Sequence, residues 1–267
     1  MEQTARVADR GEGLDGDGVI TTSARIGRAP DAFRPIVRAA VDAIRAEAPT
    51  ASAYLYGSAA TGQASSPKSD VDILAIGLDE AVAARISSEL SATFRGLCRA
   101  VEIATGSMSD FVGDSDAAYG GRVFLHHYCV HLLGVDLDSA TEGFRGDRRA
   151  ARGFNGDIDR HLAVWRESSG SIEPTELGRR VARKTLLATA GLVSVHDVTW
   201  TTDRGLAAHR WSDVHPPLRA ELVALLAWSA GAAAPPQRHL HRALDGIIST
   251  IVEQFADSIG LWPRSAV

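Results

Sequence analysis

The sequence predicts an α/β unit built on a small mixed sheet, followed by an α-helical bundle. Two observations carry this. Residues 30–105 alternate between segments of helical period and short apolar, β-branched runs. From about residue 157 the periodic segments are all helical, with short polar connections. The texture changes in a charged, glycine-punctuated stretch, "TEGFRGDRRAARGFNGD" (141–157). The expected organisation is therefore a disordered tail over 1–18, an α/β domain over 19–156 and a helical domain over 157–267.

The elements follow in chain order. "MEQTARVADRGEGLDGDG" is acidic and glycine-rich, with little apolar surface to offset ordering entropy, so it reads as a tail. It lacks the apolar core of a secretory signal. In "APDAFRPIVRAAVDAIRAEAP" (29–49), Phe33, Ile36, Val37, Ala40, Val41 and Ile44 recur at helical spacing, and Pro49 stops the run. "SAYLYG" (52–57) is a short strand ended by glycine, and "DVDILAIG" (70–77) is a second. "DEAVAARISSELSATFRGLC" (79–98) begins with two acids, which suit a helix N-terminus. "RAVEIAT" (99–105) is a third strand. "AYGGRVFLHHYCVHLLGVDL" (118–137) is ambiguous between helix and strand. Five helices are expected from "DIDRHLAVWRESS", "PTELGRRVARKTLLATAGLVSVHD", "DRGLAAHRWSDVHP", "PLRAELVALLAWSAG" and "PQRHLHRALDGIISTIVEQFADSIG".

Bulk properties narrow the function. The net charge of −5 gives no electrostatic case for nucleic-acid binding. The two cysteines, Cys98 and Cys129, form no C-x-x-C, which fits a reducing cytoplasm rather than a disulfide scaffold. No apolar run reaches the length of a membrane span. The expected protein is cytoplasmic, and a monomer or small homo-oligomer.

The chemistry concentrates in "YLYGSAATGQASSPKSDVDILAI" (54–76). Residues i and i+2 of a strand share a face, so Asp70 and Asp72 project together, about 7 Å apart. Two carboxylates on one face repel unless a cation joins them. Hard oxygen ligands of this kind suit Mg²⁺, completed by waters and substrate phosphates. Glu102 is flanked by the apolar Val101 and Ile103, so it faces away from the core. If its strand pairs with the Asp70–Asp72 strand, three carboxylates converge. That set suits two metals about 4 Å apart in an in-line phosphoryl displacement. Gly57 lets the chain turn tightly, and the N–H groups and hydroxyl of Ser58 would then face a polyphosphate.

The stretch "YGSAATGQASSPKSDVDIL" resembles the signature of the polymerase-β-like nucleotidyltransferase superfamily. That signature reads apolar–Gly–Ser, a spacer, then Asp–apolar–Asp–apolar, with a third acid on a later strand. Here eleven residues separate Ser58 from Asp70, and Glu102 stands as the third acid. With a helical C-terminal half, the pattern is most similar to the aminoglycoside adenylyltransferases of streptomycin/spectinomycin type. "RKTLLATAGLVSVHDVTWTTDRGLAAHRW" is similar to the helix–loop–helix of that family's C-terminal domain. The resemblance implies a nucleotidyltransferase domain, ATP as co-substrate, Mg²⁺ on Asp70 and Asp72, and transfer of AMP to a hydroxyl with release of pyrophosphate. It implies Gly57 and Ser58 on the phosphates, and Glu102 as either general base or second-metal ligand. It implies a small polar or cationic acceptor, with an aminoglycoside-type antibiotic expected. Family members also contact the phosphates with basic residues of the helical domain. Near that place this chain has Gly191 and Thr202 instead. Arg180, Arg183 and Lys184, at i, i+3 and i+4 on one helix face, are the substitute candidates. Transfer to a protein hydroxyl or a biosynthetic intermediate stays open, as does a non-catalytic nucleotide- or drug-binding relative.

Three other patterns carry less. Gly57 and Gly62 have P-loop spacing, but Gln63-Ala64 follows where Lys-Ser/Thr is needed. His126, His127, Cys129 and His131 fit no standard zinc spacing and read as packed residues. Arg145, Arg148, Arg149 and Arg152 read as a solvated linker.

Overall fold

The computed structural model describes residues 9–25, 27–233 and 235–263. The chain divides into two compact units after Phe144. The first is built on a four-stranded mixed sheet of order β5-β4-β3-β6. Its strands are β3 (Ser52–Tyr56), β4 (Val71–Ile76), β5 (Val101–Gly106) and β6 (Val130–Leu133). β3 runs antiparallel to both β4 and β6, whereas β4 and β5 are parallel.

Helix α1 (Arg34–Glu47) buries Ile36, Ala40 and Ile44, one residue per turn. Helix α3 (Glu80–Thr93) starts where Asp79 accepts the N–H groups of Ala81 and Val82 at 2.9 and 3.2 Å. It buries Ala83 and Ile86. These side chains cover one face of the sheet, packing with Leu55, Val71, Ile73 and Ala75. On the other face, Tyr54, Leu74 and Ile76 pack with Phe111 and with Leu125 of α4 (Asp116–Tyr128). The ambiguous segment 118–137 thus holds most of a helix and then the edge strand β6.

Residues 9–18 differ from the expected tail (residues 1–8 lie outside the described set). Strand β1 (Gly13–Leu14) pairs antiparallel with β2 (Ile20–Thr21), and Ile20 is buried. Asp9 accepts the N–H of Gly11 at 2.9 Å and that of Ser23 at 2.7 Å. Order here comes from carboxylate–backbone hydrogen bonds, which an apolar periodicity does not register.

Among its described residues, the extended elements of the second unit are helices. They are α5 (Arg148–Asn155), α6 (Ile158–Ser168), α7 (Pro174–Asp197), α8 (Arg204–Val214), α9 (Arg219–Ser229), α10 (Gln237–Ala243) and α11 (Ser249–Ser258). A π-helical turn, Leu244–Ile248, joins α10 to α11. The long α7 packs against α5, α8, α9 and α11. The unit begins at Arg145 rather than at 157 because α5 is part of it. That helix buries Ala150, Ala151 and Asn155, and the Asn155 side-chain amide donates to the Leu187 carbonyl at 3.2 Å. Its arginines dominate the sequence, but its alanines dominate the packing. No described helix is long and apolar enough to cross a membrane.

Candidate active site

The site begins where β3 ends. Tyr56, its last residue, pairs with Asp72 on β4. Gly57 follows with φ +71°, a left-handed conformation that a side chain would strain. This opens the short helix α2 (Gly57–Ala60), whose Ala59 and Ala60 are buried. The Ser58 carbonyl accepts the N–H groups of Gln63 and Ala64 at 2.8 and 3.0 Å, closing the turn. The Ser58 hydroxyl makes no hydrogen bond among the described residues.

The parallel register of β4 and β5 sets Asp72 directly beside Glu102 and Val71 beside Val101. Asp70 lies two residues before Asp72 and so shares its face. Oxygens of Asp70, Asp72 and Glu102 come within 4.8 Å of one another. Glu102 is exposed, while Asp70 and Asp72 are half-buried. Further along the same face of β4, Leu74 and Ile76 are sealed by Phe111 and Leu125. The acids are therefore confined to the end of the sheet, next to the Gly57 turn. Three close carboxylates demand positive charge. Their hard oxygens fit a divalent cation such as Mg²⁺.

A residue that sequence reading passed over sits in this cluster. Arg99 donates from Nε to Asp70 Oδ1 at 2.8 Å and from a second nitrogen to Asp70 Oδ2. The hydrogen-bonded Asp70 stabilises the guanidinium most, burial opposes it, and Glu102 and Asp72 add attraction. Its backbone N–H is fixed by the Ser69 carbonyl at 3.0 Å. The signal was the basic residue at the head of the Glu102 strand. Only the β4–β5 register reveals what it faces.

A solved structure shares this architecture. It is the crystal structure of spectinomycin adenyltransferase AAD(9) from Enterococcus faecialis with ATP and spectinomycin, matched with a TM-score of 0.50. The match covers 83% of this chain and 98% of that one. This chain has the fold of that adenyltransferase. Sequence identity between them is 10%, so the likeness is one of fold. A scan against protein-family models finds no match, and neither does a search of curated proteins.

The basic residues expected to contact phosphate have partners within the helical unit. Arg180 pairs with Glu176 at 2.7 Å on its own helix. Arg183 donates to the Ser229 carbonyl at 3.3 Å. Lys184 pairs with Asp157 at 2.7 Å and donates to the Phe154 carbonyl at 3.3 Å. Gly191 is buried, and a Cβ there would sit 3.3 Å from the Phe255 ring and 3.5 Å from Ala151. A basic side chain has no room at that position, which explains the glycine. The histidine-rich segment is also engaged. His126 pairs with Asp138 at 2.9 Å, His127 Nε2 accepts the Phe144 N–H at 2.8 Å, and His131 donates to the Leu133 carbonyl at 2.9 Å.

Proposed function

We propose that this protein is a nucleotidyltransferase that moves AMP from ATP to a hydroxyl of a small polar acceptor and releases pyrophosphate. The observation that carries the proposal is the convergence of Asp70, Asp72 and Glu102 beside the Gly57–Ser58 turn. The shared fold with an enzyme crystallised with ATP and spectinomycin supports it, and an aminoglycoside-type antibiotic is the acceptor we propose.

In this proposal Asp70 and Asp72 hold Mg²⁺, which when bound supplies Lewis-acid stabilisation of the charge on the reacting phosphate. The backbone N–H groups after Gly57 and the Ser58 hydroxyl hold the β and γ phosphates. Glu102, the most exposed of the three acids, takes the proton of the acceptor hydroxyl. A bond forms between that oxygen and the α-phosphorus. The α–β phosphoanhydride bond breaks, and pyrophosphate leaves with its electron pair.

The test is to incubate the purified protein with Mg²⁺, each nucleoside triphosphate in turn and a panel of aminoglycosides. Pyrophosphate release and product mass are the readouts. The expected product is an acceptor heavier by one AMP residue. Asp72→Asn should lower its formation by on the order of 10²–10³-fold or more, the scale set by removing one preorganised charge-stabilising group. Tight nucleotide binding without pyrophosphate from any acceptor would sink the enzyme reading. A mass gain on the protein itself would replace the small acceptor with a protein hydroxyl.

A further inference from the structure

Asp70 has both carboxylate oxygens engaged by Arg99, Oδ1 by Nε and Oδ2 by a second nitrogen. A guanidinium fork that takes both oxygens competes with a divalent cation for the same carboxylate, because the two positive charges repel and each seeks the same acceptor charge. The partners differ in freedom. The Asp70 side chain is 11% exposed, and that of Arg99 is 62% exposed. The acid is fixed by the sheet, while the arginine reaches in from solvent and can swing away without opening the core.

We propose that Arg99 is an exchangeable counter-ion of the acidic triad. It holds Asp70 and offsets the mutual repulsion of the acids when no divalent cation is bound, and it yields Asp70 when one arrives. This rests on the metal-binding reading of the triad given above. It makes Arg99 a positioning residue rather than a catalytic one. Displacing it weakens the hold on a cation arriving alone. A cation arriving with a polyphosphate brings additional oxygen ligands and overcomes that competition.

The experiment measures metal binding and stability, not turnover. Nucleotide-free full-length protein is titrated with Mn²⁺, an oxygen-seeking stand-in for Mg²⁺, and free Mn²⁺ is read by electron paramagnetic resonance. Arg99→Gln should bind Mn²⁺ about tenfold more tightly than wild type, the scale of one lost charge-assisted pair. Arg99→Lys keeps the charge but not the fork, and should fall between them. Adding Asp70→Asn to Arg99→Gln should abolish the gain. In chelator, Arg99→Gln should melt at a lower temperature than wild type and should gain more from Mn²⁺. Equal Mn²⁺ affinities for wild type and Arg99→Gln would overturn the exchange while leaving the metal site standing. So would a gain that persists in the double variant. Absence of Mn²⁺ binding in both proteins would remove the metal reading and the exchange with it.

Discussion

Val198 shows how a single residue can work against the fold. It ends α7 in the left-handed region, at φ 52° and ψ 51°, and it is 83% exposed. A β-branched residue there is strained, and its side chain contributes almost no burial in return. Glycine suits this position at a helix C-terminus. Val198→Gly should therefore stabilise the protein by about 1 kcal/mol, read as a higher urea midpoint at unchanged slope. A lower midpoint would show that the valine makes a contact worth more than the strain. At Gly57 the same physics runs in the opposite sense. There the left-handed turn is built from the residue that tolerates it, and the turn stands beside Asp72. That glycine was legible in the sequence because it ended a strand. The strain at Val198 was not, because valine gives no sign of a left-handed backbone.

At the scale of elements, the β1–β2 hairpin is the largest departure from the sequence reading. Asp9 ties it down, accepting from Gly11, Ser23 and the Gln63 side-chain amide, the last at 3.3 Å. The Arg25 N–H adds a bond to the Ala60 carbonyl at 3.3 Å. Gly62, with φ +80°, lies so close that a Cβ would stand 3.0 Å from the Arg28 carbonyl. The segment thus braces the far side of the turn that begins at Gly57. Asp9→Ala leaves three donors without their acceptor and should cost about 1–3 kcal/mol. Faster deuterium uptake is expected in residues 20–28 and also in 58–64, measured by exchange mass spectrometry. Uptake that rises only in 20–28 would show that the brace does not reach the turn. The strands and helices over 34–106 were legible because their side chains alternate or recur toward one core. The hairpin was not, because it is held by hydrogen bonds to the carboxylates of Asp9, Glu12 and Asp15.

Across the whole molecule, acid stability should fall in two stages. Burial first, and then the neighbouring His126, hold the His127 imidazole down at about 4. The unfolded chain takes up that proton near pH 6.5, whereas the folded chain does not. Stability is therefore full above about pH 6.5 and falls by about 3 kcal/mol as the pH drops toward 4. Asp157 acts below that. Burial alone would raise it, but hydrogen bonds and charge from His161 and Lys184 prevail and hold it at about 2. Its contribution is present above about pH 4 and is lost as the pH falls toward 2. Urea titrations from pH 7 to pH 4 should show the first stage in wild type and a flatter profile in His127→Asn. An unchanged profile would rule His127 out as the source. By itself, the sequence determined which residues the candidate site could draw on. Gly57, Ser58, Asp70, Asp72 and Glu102 stand at spacings that local rules decode, since strand period fixes which face a side chain takes. It also determined that the second half is helical. Tertiary structure alone decided the rest. The β4–β5 register set Glu102 beside Asp72, and Arg99 closed on Asp70. Helix α5 joined the helical unit through its alanines. Lys184 was paired with Asp157. Each of these brings together residues distant in sequence, and a long-range contact leaves no mark in the local period of either partner.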